Sequence, residues 1–197
     1  MKKDRKGQEV FCITSEDLQK LRKFFKNRPI ILAITNLGCN MALRGSDLIK
    51  LKFEDIEADN TIRIFEKKTG KCRIIKLNRI CLKSIQNLKI FYEQKKISPK
   101  GYLFKSLHPF YCKNKIDKHI SLSSVDRYYR IARKELSIPY PIGTHSLRKT
   151  WGNRVYKKTK NIAVIMKALN HSNVSHTLCY IGITQNEINS IYEKVEI

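Results

Sequence analysis

The chain has 197 residues and a mass of 23.1 kDa, with 40 Lys+Arg against 17 Asp+Glu and a net charge of +23. That length suits one domain with a real core, and a 42% hydrophobic content excludes a disordered basic tail. A pI near 9.9 on such a domain points to a polyanionic partner, most often nucleic acid.

The most apolar run, Ile30 to Ile34, is far too short for a membrane span. Met1 to Val10 is basic but leads into no apolar stretch, so no secretory signal is read there. Six cysteines, at 12, 39, 72, 81, 112 and 179, form no C-x-x-C pair. No disulfide framework or zinc ribbon is therefore expected, and a reduced, cytoplasmic protein is. His108, Cys112 and His119 lack a fourth ligand and regular spacing, and read as loop residues rather than a metal site.

In chain order, Thr14 with Asp17 signals a helix start. Leu18, Leu21, Phe24 and Phe25 continue it at helical spacing to about residue 26. Pro29 opens an apolar helix over about 29–39, the expected centre of the domain. Ser46 is placed to cap a short helix through Leu51. The period then changes. Thr61–Glu66 and Cys72–Leu77 are strand-like, and Lys67-Lys68-Thr69-Gly70-Lys71 between them reads as the basic tip of a hairpin. Helical spacing returns over 78–94. The segment 96–120 reads as irregular, and a helix follows over about 123–136. Pro139 and Pro141 force an extended stretch. Helices are expected at about 145–158, 161–169, 173–181 and 185–194, the last with Thr184 and Glu187 as a capping box. The fold class expected is mostly α with one small antiparallel sheet, an α+β domain.

Four segments stand out: Ala42-Leu-Arg44-Gly-Ser-Asp47-Leu, the basic hairpin tip around Lys68, His145-Ser-Leu-Arg148-Lys149-Thr, and His171 followed nine residues later by Tyr180. Their order and wording resemble the catalytic domain of the tyrosine recombinases, the phage integrase family. The resemblance runs from about residue 14 to 190.

It implies metal- and ATP-independent DNA cleavage and rejoining, with no cofactor. Arg44 and Arg148 would clamp the scissile phosphate, whose non-bridging oxygens gain charge in the transition state and suit a bidentate guanidinium. Tyr180 would attack as nucleophile and leave a 3′-phosphotyrosine and a free 5′-hydroxyl. Its phenol needs activation, since an unperturbed phenol ionises only near pH ~10. Lys68 would protonate the departing 5′ oxygen, His145 would serve as general acid/base, and His171 would bond the phosphate. Asp47 would buttress the site by orienting Arg44 or a histidine. Lys71, Arg73 and Lys149 adjoin these boxes and read as footing on the DNA backbone. His176 reads as structural.

Asn170 stands where the family usually has glycine before the box histidine, a mild change because Asn tolerates left-handed backbone. Only about 14 residues precede the first expected helix. The whole chain, 1–197, therefore reads as a single catalytic domain with a tail over 1–13 and no N-terminal core-binding domain. It is similar in this to the catalytic-domain-only recombinases, of which the fimbrial switch invertases are an example; a longer protein cut to this part reads alike. The segment 184–197 carries Ile188, Ile191 and Tyr192 as an apolar stripe. Two readings stand open for it: docking on a neighbouring subunit, or packing on its own domain.

The partners implied are double-stranded DNA, further copies in a homo-tetramer on DNA (a monomer or weak oligomer when free), and accessory DNA-bending or core-binding proteins; no membrane is implied. The location implied is cytoplasmic, at the nucleoid, for a bacterial or phage-encoded protein of a mobile element. A type IB topoisomerase is the nearest enzymatic rival, and a DNA-binding regulator without activity the rival of another class.

Overall fold

The computed structural model describes residues 11–66, 70, 72–171, 173–182 and 185–194. Within them the chain is mostly helical with one two-stranded antiparallel sheet. The helices are α1 (Ser15–Phe24), α2 (Pro29–Met41), α3 (Gly45–Leu48), α4 (Arg79–Gln94), α5 (Pro109–Lys113), α6 (Leu122–Glu135), α7 (Thr144–Thr159), α8 (Ile162–Leu169), α9 (Val174–Ile181) and α10 (Gln185–Lys194). The strands are β1 (Thr61–Phe65) and β2 (Cys72–Lys76).

Side-chain caps start most of these helices. Thr14 Oγ1 accepts from the Asp17 amide, Asn78 from Cys81, Ser121 from Ser124 and Asn161 from Val164. Each satisfies an amide that the first turn leaves without a partner. The hydrophobic run at 30–41 makes α2 the centre of the domain. Ile31, Ile34, Leu37 and Met41 are buried along it. It packs against α4 on one side and α7 on the other. The approach to α7 is close: a Cβ added to Gly38 would stand 2.5 Å from Leu147 Cδ1. α1 closes the same core through Leu18 and Leu21, and α6 through Val125, Tyr129 and Ala132. A second, smaller cluster of Ala42, Ile165, Leu169 and Ile181 lies under α8 and α9, with Trp151 and Tyr180 packed against it.

β1 and β2 pair from Thr61 opposite Lys76 to Phe65 opposite Cys72. Beyond them Gly70 has φ +65°, the left-handed geometry expected of the hairpin turn.

Three expectations need correction. Ser46 does not begin the short helix: Arg44 occupies the N-cap in extended geometry, and α3 covers only Gly45–Leu48. The segment 96–120 is not wholly irregular. It contains α5, capped by His108 Nδ1, and is tied down by bridges between Lys52 and Tyr102 and between Lys105 and His119. The central helix runs on past 39 to Met41, where Ala42 ends it at φ 56°. Thr184 lies outside the described residues, as do the side chains of Glu187, Ile188 and Ile191. α10 is present as a helix, and Tyr192 on it is 80% exposed. Among the described residues, no helix is long and apolar enough to cross a membrane.

Candidate active site

The site is built where α2 ends. Ala42 sits in the left-handed region, so its carbonyl turns away from the helix and becomes an acceptor. Arg148, on the second turn of α7, donates to it from Nη1 at 2.5 Å and to the Leu169 carbonyl, at the end of α8, from Nη2 at 2.7 Å. Arg73, on β2, reaches the same end of α2. Its Nη1 donates to Ala42 O at 3.1 Å and its Nη2 to Met41 O at 3.3 Å. Two arginines thus share the C-terminus of one helix, where the macrodipole favours positive charge.

Arg148 is 1% exposed. Burial pushes its ionisation down to about 10, with Arg44 and Arg73 adding to the effect and Tyr180 opposing it. It is a cation at neutral pH all the same. Its two carbonyl bonds occupy two of five N–H groups, and its Nε is buried without a hydrogen-bond partner.

Arg44 projects from the N-cap of α3. Its Nη1 donates to Glu66 Oε2 at 2.5 Å, and the side chain keeps 21% exposure. Glu66 is fully buried and also accepts from Arg73 Nη1, through Oε1 at 3.1 Å. Asp47 is buried one turn beyond Arg44. Burial pushes the Arg73 ionisation down, with Glu66 and Asp47 opposing that shift.

His171 follows the end of α8. Asn170 there has φ 52°, the left-handed geometry that suits Asn in a glycine position. The His171 Nδ1 lies 3.0 Å from Thr177 Oγ1 on α9. Its pKa is pushed down to about 4, first by burial and then by Arg148, His176 and Arg44.

Tyr180 comes from the last turn of α9. Its ring stands 5.0 Å from that of His171 in an edge-on arrangement. The Arg148 guanidinium and the Lys149 ammonium each lie 5.9 Å from its centroid. α9 is held against α7 by Asn153 Nδ2, which donates to Ile181 O at 2.5 Å. A Cβ on Gly152 would lie 3.5 Å from Tyr180 Cβ, an ordinary van der Waals contact, so Tyr180 packs directly over α7 at that position.

Arg148, His171 and Tyr180 therefore converge, and the charge of Arg44 reaches both Arg148 and His171. His145 is exposed on the first turn of α7, three residues before Arg148 and so on the same side of the helix. Lys68 and Lys71 lie outside the described residues. Lys149 is beside the Tyr180 ring. Arg73 needs correcting: its side chain is only 10% exposed and is committed to Glu66 and two carbonyls, so it faces the protein interior and not a DNA backbone.

Glu66 and Thr177 were missed by sequence reasoning. Glu66 had a signal in the alternation of β1, where Ile62 and Ile64 face inward and residue 66 continues their side. Thr177 stands in the segment between His171 and Tyr180, but its bond to His171 spans a turn and a helix start, which sequence spacing does not show. His108 and His119 have structural uses, the first capping α5 and the second packing on Tyr102. Among the described residues, no group of three or more His, Cys, Asp or Glu side chains could hold a metal.

Residues 12–187 match the phage integrase family. The probable integrase/recombinase YoeC of Bacillus subtilis (strain 168) is 34% identical over 181 residues, which cover 90% of this chain and 92% of that protein. A tyrosine recombinase of Pseudothermotoga lettingae is 30% identical and likewise covers 90% of this chain, but the match takes in only 57% of its own length. Among solved structures, XerA recombinase superposes with a TM-score of 0.74 at 20% identity, over 97% of this chain and 68% of that one. XerH recombinase, in a post-cleavage complex with its palindromic difH substrate, gives 0.71 at 18% identity, over 95% and 54%. The fold is that of tyrosine recombinase catalytic domains.

Proposed function

The chain belongs to the phage integrase family, and from that premise we propose that it cleaves and rejoins double-stranded DNA at specific sites through a covalent link to Tyr180. The observation that carries this reading is the convergence of Tyr180 with Arg148 and His171 at the Ala42 terminus of α2. XerH, similar in fold, is bound to its DNA substrate in the post-cleavage state.

The Tyr180 Oη attacks the phosphorus of one strand. A bond forms between Oη and phosphorus, the bond from phosphorus to the 5′ oxygen breaks, and a 3′-phosphotyrosine remains. The phenol proton goes to a base, with His145 proposed for that work. The 5′ oxygen takes a proton, with Lys68 as proposed donor. Attack by a 5′-hydroxyl reverses every step, so the strand is resealed without ATP.

Arg44 and Arg148 are the electrostatic clamp. Fixed N–H groups aimed where charge develops need no reorganisation as the reaction proceeds. Arg148 is already immobilised by Ala42 O and Leu169 O, and its Nε remains to be used. A depressed pKa keeps His171 neutral near pH 7. The tautomer proposed has the Thr177 hydroxyl, 3.0 Å from Nδ1, donating to that nitrogen, so that Nε2 carries the single ring proton and offers it to a phosphate oxygen. The two guanidiniums supply the positive charge that a divalent cation supplies in other phosphoryl chemistry, so the reaction as proposed needs no metal. The whole chain is proposed to act as one catalytic domain in a tetramer on DNA, with α10 reaching a neighbouring copy.

Two duplexes taken from the flanks of its own gene, incubated with the protein in EDTA and without ATP, should exchange strands. Relaxation of supercoiled plasmid with no strand exchange would point instead to a type IB topoisomerase. Binding with neither activity would make the chain a DNA-binding regulator.

A further inference from the structure

Glu66 is a fully buried carboxylate among three arginines, and the proposed chemistry gives it no role. A buried charge is costly unless it is paired and hydrogen-bonded. Glu66 meets that condition on both oxygens, with Arg44 on Oε2 and Arg73 on Oε1. Arg73 is in turn fixed by Met41 O and Ala42 O, and Ala42 O also fixes Arg148. A continuous chain of polar contacts therefore runs from Arg44 through Glu66, Arg73 and Ala42 to Arg148. Among the described residues, Arg44 is held by Glu66, whereas carbonyls hold Arg73 and Arg148. It leaves the backbone at a helix N-cap that makes no side-chain cap bond, and it is more exposed than Arg73 or Arg148.

We propose that Glu66 is a positioning residue that holds the Arg44 guanidinium at a fixed separation from Arg148, a reading that rests on the recombinase chemistry above. One carboxylate does two things here. It removes the rotamer freedom that a lone arginine keeps, so Arg44 meets the phosphate already oriented. It also offsets part of the positive charge of three arginines. The two effects act oppositely on ground-state binding and on reaction. Losing the carboxylate raises the attraction for a DNA phosphate but releases the group that must be aligned in the transition state. A residue that merely supports the fold would weaken both together.

The test is single-turnover formation of the Tyr180 adduct on a nicked duplex made from the flanks of its own gene, alongside the affinity for the same duplex. Glu66→Gln should slow the adduct by about 10–100-fold, with affinity unchanged or tighter. Measured in an Arg44→Lys background, the same substitution should change the rate by less than about twofold, because its effect passes through Arg44. Should E66Q fold poorly, Glu66→Asp keeps the charge but withdraws it by one methylene, and it should slow the adduct with affinity within about threefold. Equal factors in the two Arg44 backgrounds, a parallel loss of affinity, or an E66D variant as fast as the parent would overturn the proposal while leaving the recombinase reading intact. A parent protein that forms no adduct overturns both.

Discussion

The site depends on how each charged side chain is restrained. Arg148 reaches the site through nearly complete burial, and two carbonyls replace the water it gives up. His171 shows the same economy from the other direction, since burial and neighbouring cations keep it uncharged. This has a consequence for stability. In the unfolded chain a histidine ionises near pH ~6.5, above the folded value of about 4. Between these values the unfolded state binds more protons, so folding is favoured fully above about 6.5 and loses that contribution as pH falls toward 4. Urea unfolding of the parent should therefore weaken more steeply over this window than that of His171→Gln. Equal slopes would show that His171 titrates alike in both states. At this scale the sequence was readable where a residue type sat in a distinctive box, as with Arg44, Arg148, His171 and Tyr180. It was misleading for Arg73, because in a chain with 40 basic residues an arginine by a basic hairpin reads as footing on a DNA backbone. Only the register of β1 against β2 brings Arg73 and Glu66 to the same side.

Between elements, the contact that matters most is α2 against α7, because α2 ends in the Ala42 carbonyl and α7 carries Arg148. Gly38 allows their close approach. A Cβ there would lie 2.5 Å from Leu147 Cδ1 and 3.0 Å from Leu147 Cβ, so Leu147 as a whole must move. Gly38→Ala should lower stability by up to about 2 kcal/mol through overpacking, despite the ~1 kcal/mol that alanine gains over glycine in a helix. Denaturant titration measures this directly, and a net gain in stability would mean the helices part without cost. Most elements were legible from caps and periodicity, as with Thr14 before α1 and Asn78 before α4. α5 was not, because five residues carry no full period and its cap, His108, is an unusual one. The start of α3 was misjudged because Ser46 is a good cap by type, whereas the backbone turns two residues earlier.

For the whole molecule, the net charge of +23 reads more narrowly than at first. Part of it is internal: Arg73 and Arg148 face the protein and hold the site together. Lys105 is likewise buried and paired with Asp117. The exposed cations are the ones suited to salt-sensitive, sequence-blind contact with phosphates. The fold supports this division by gathering α3, α7, α8, α9 and β2 around the C-terminal end of the central helix α2. The most direct measurement is whether Tyr180 becomes covalently joined to DNA. Denaturing gels and peptide mass spectrometry after incubation with a nicked duplex from its own locus should show a 3′-phosphotyrosyl adduct on the peptide containing Tyr180. Tyr180→Phe should bind the same DNA and form none. An adduct that survives in Y180F, or a parent that binds the duplex tightly and never forms one, would contradict the proposed chemistry.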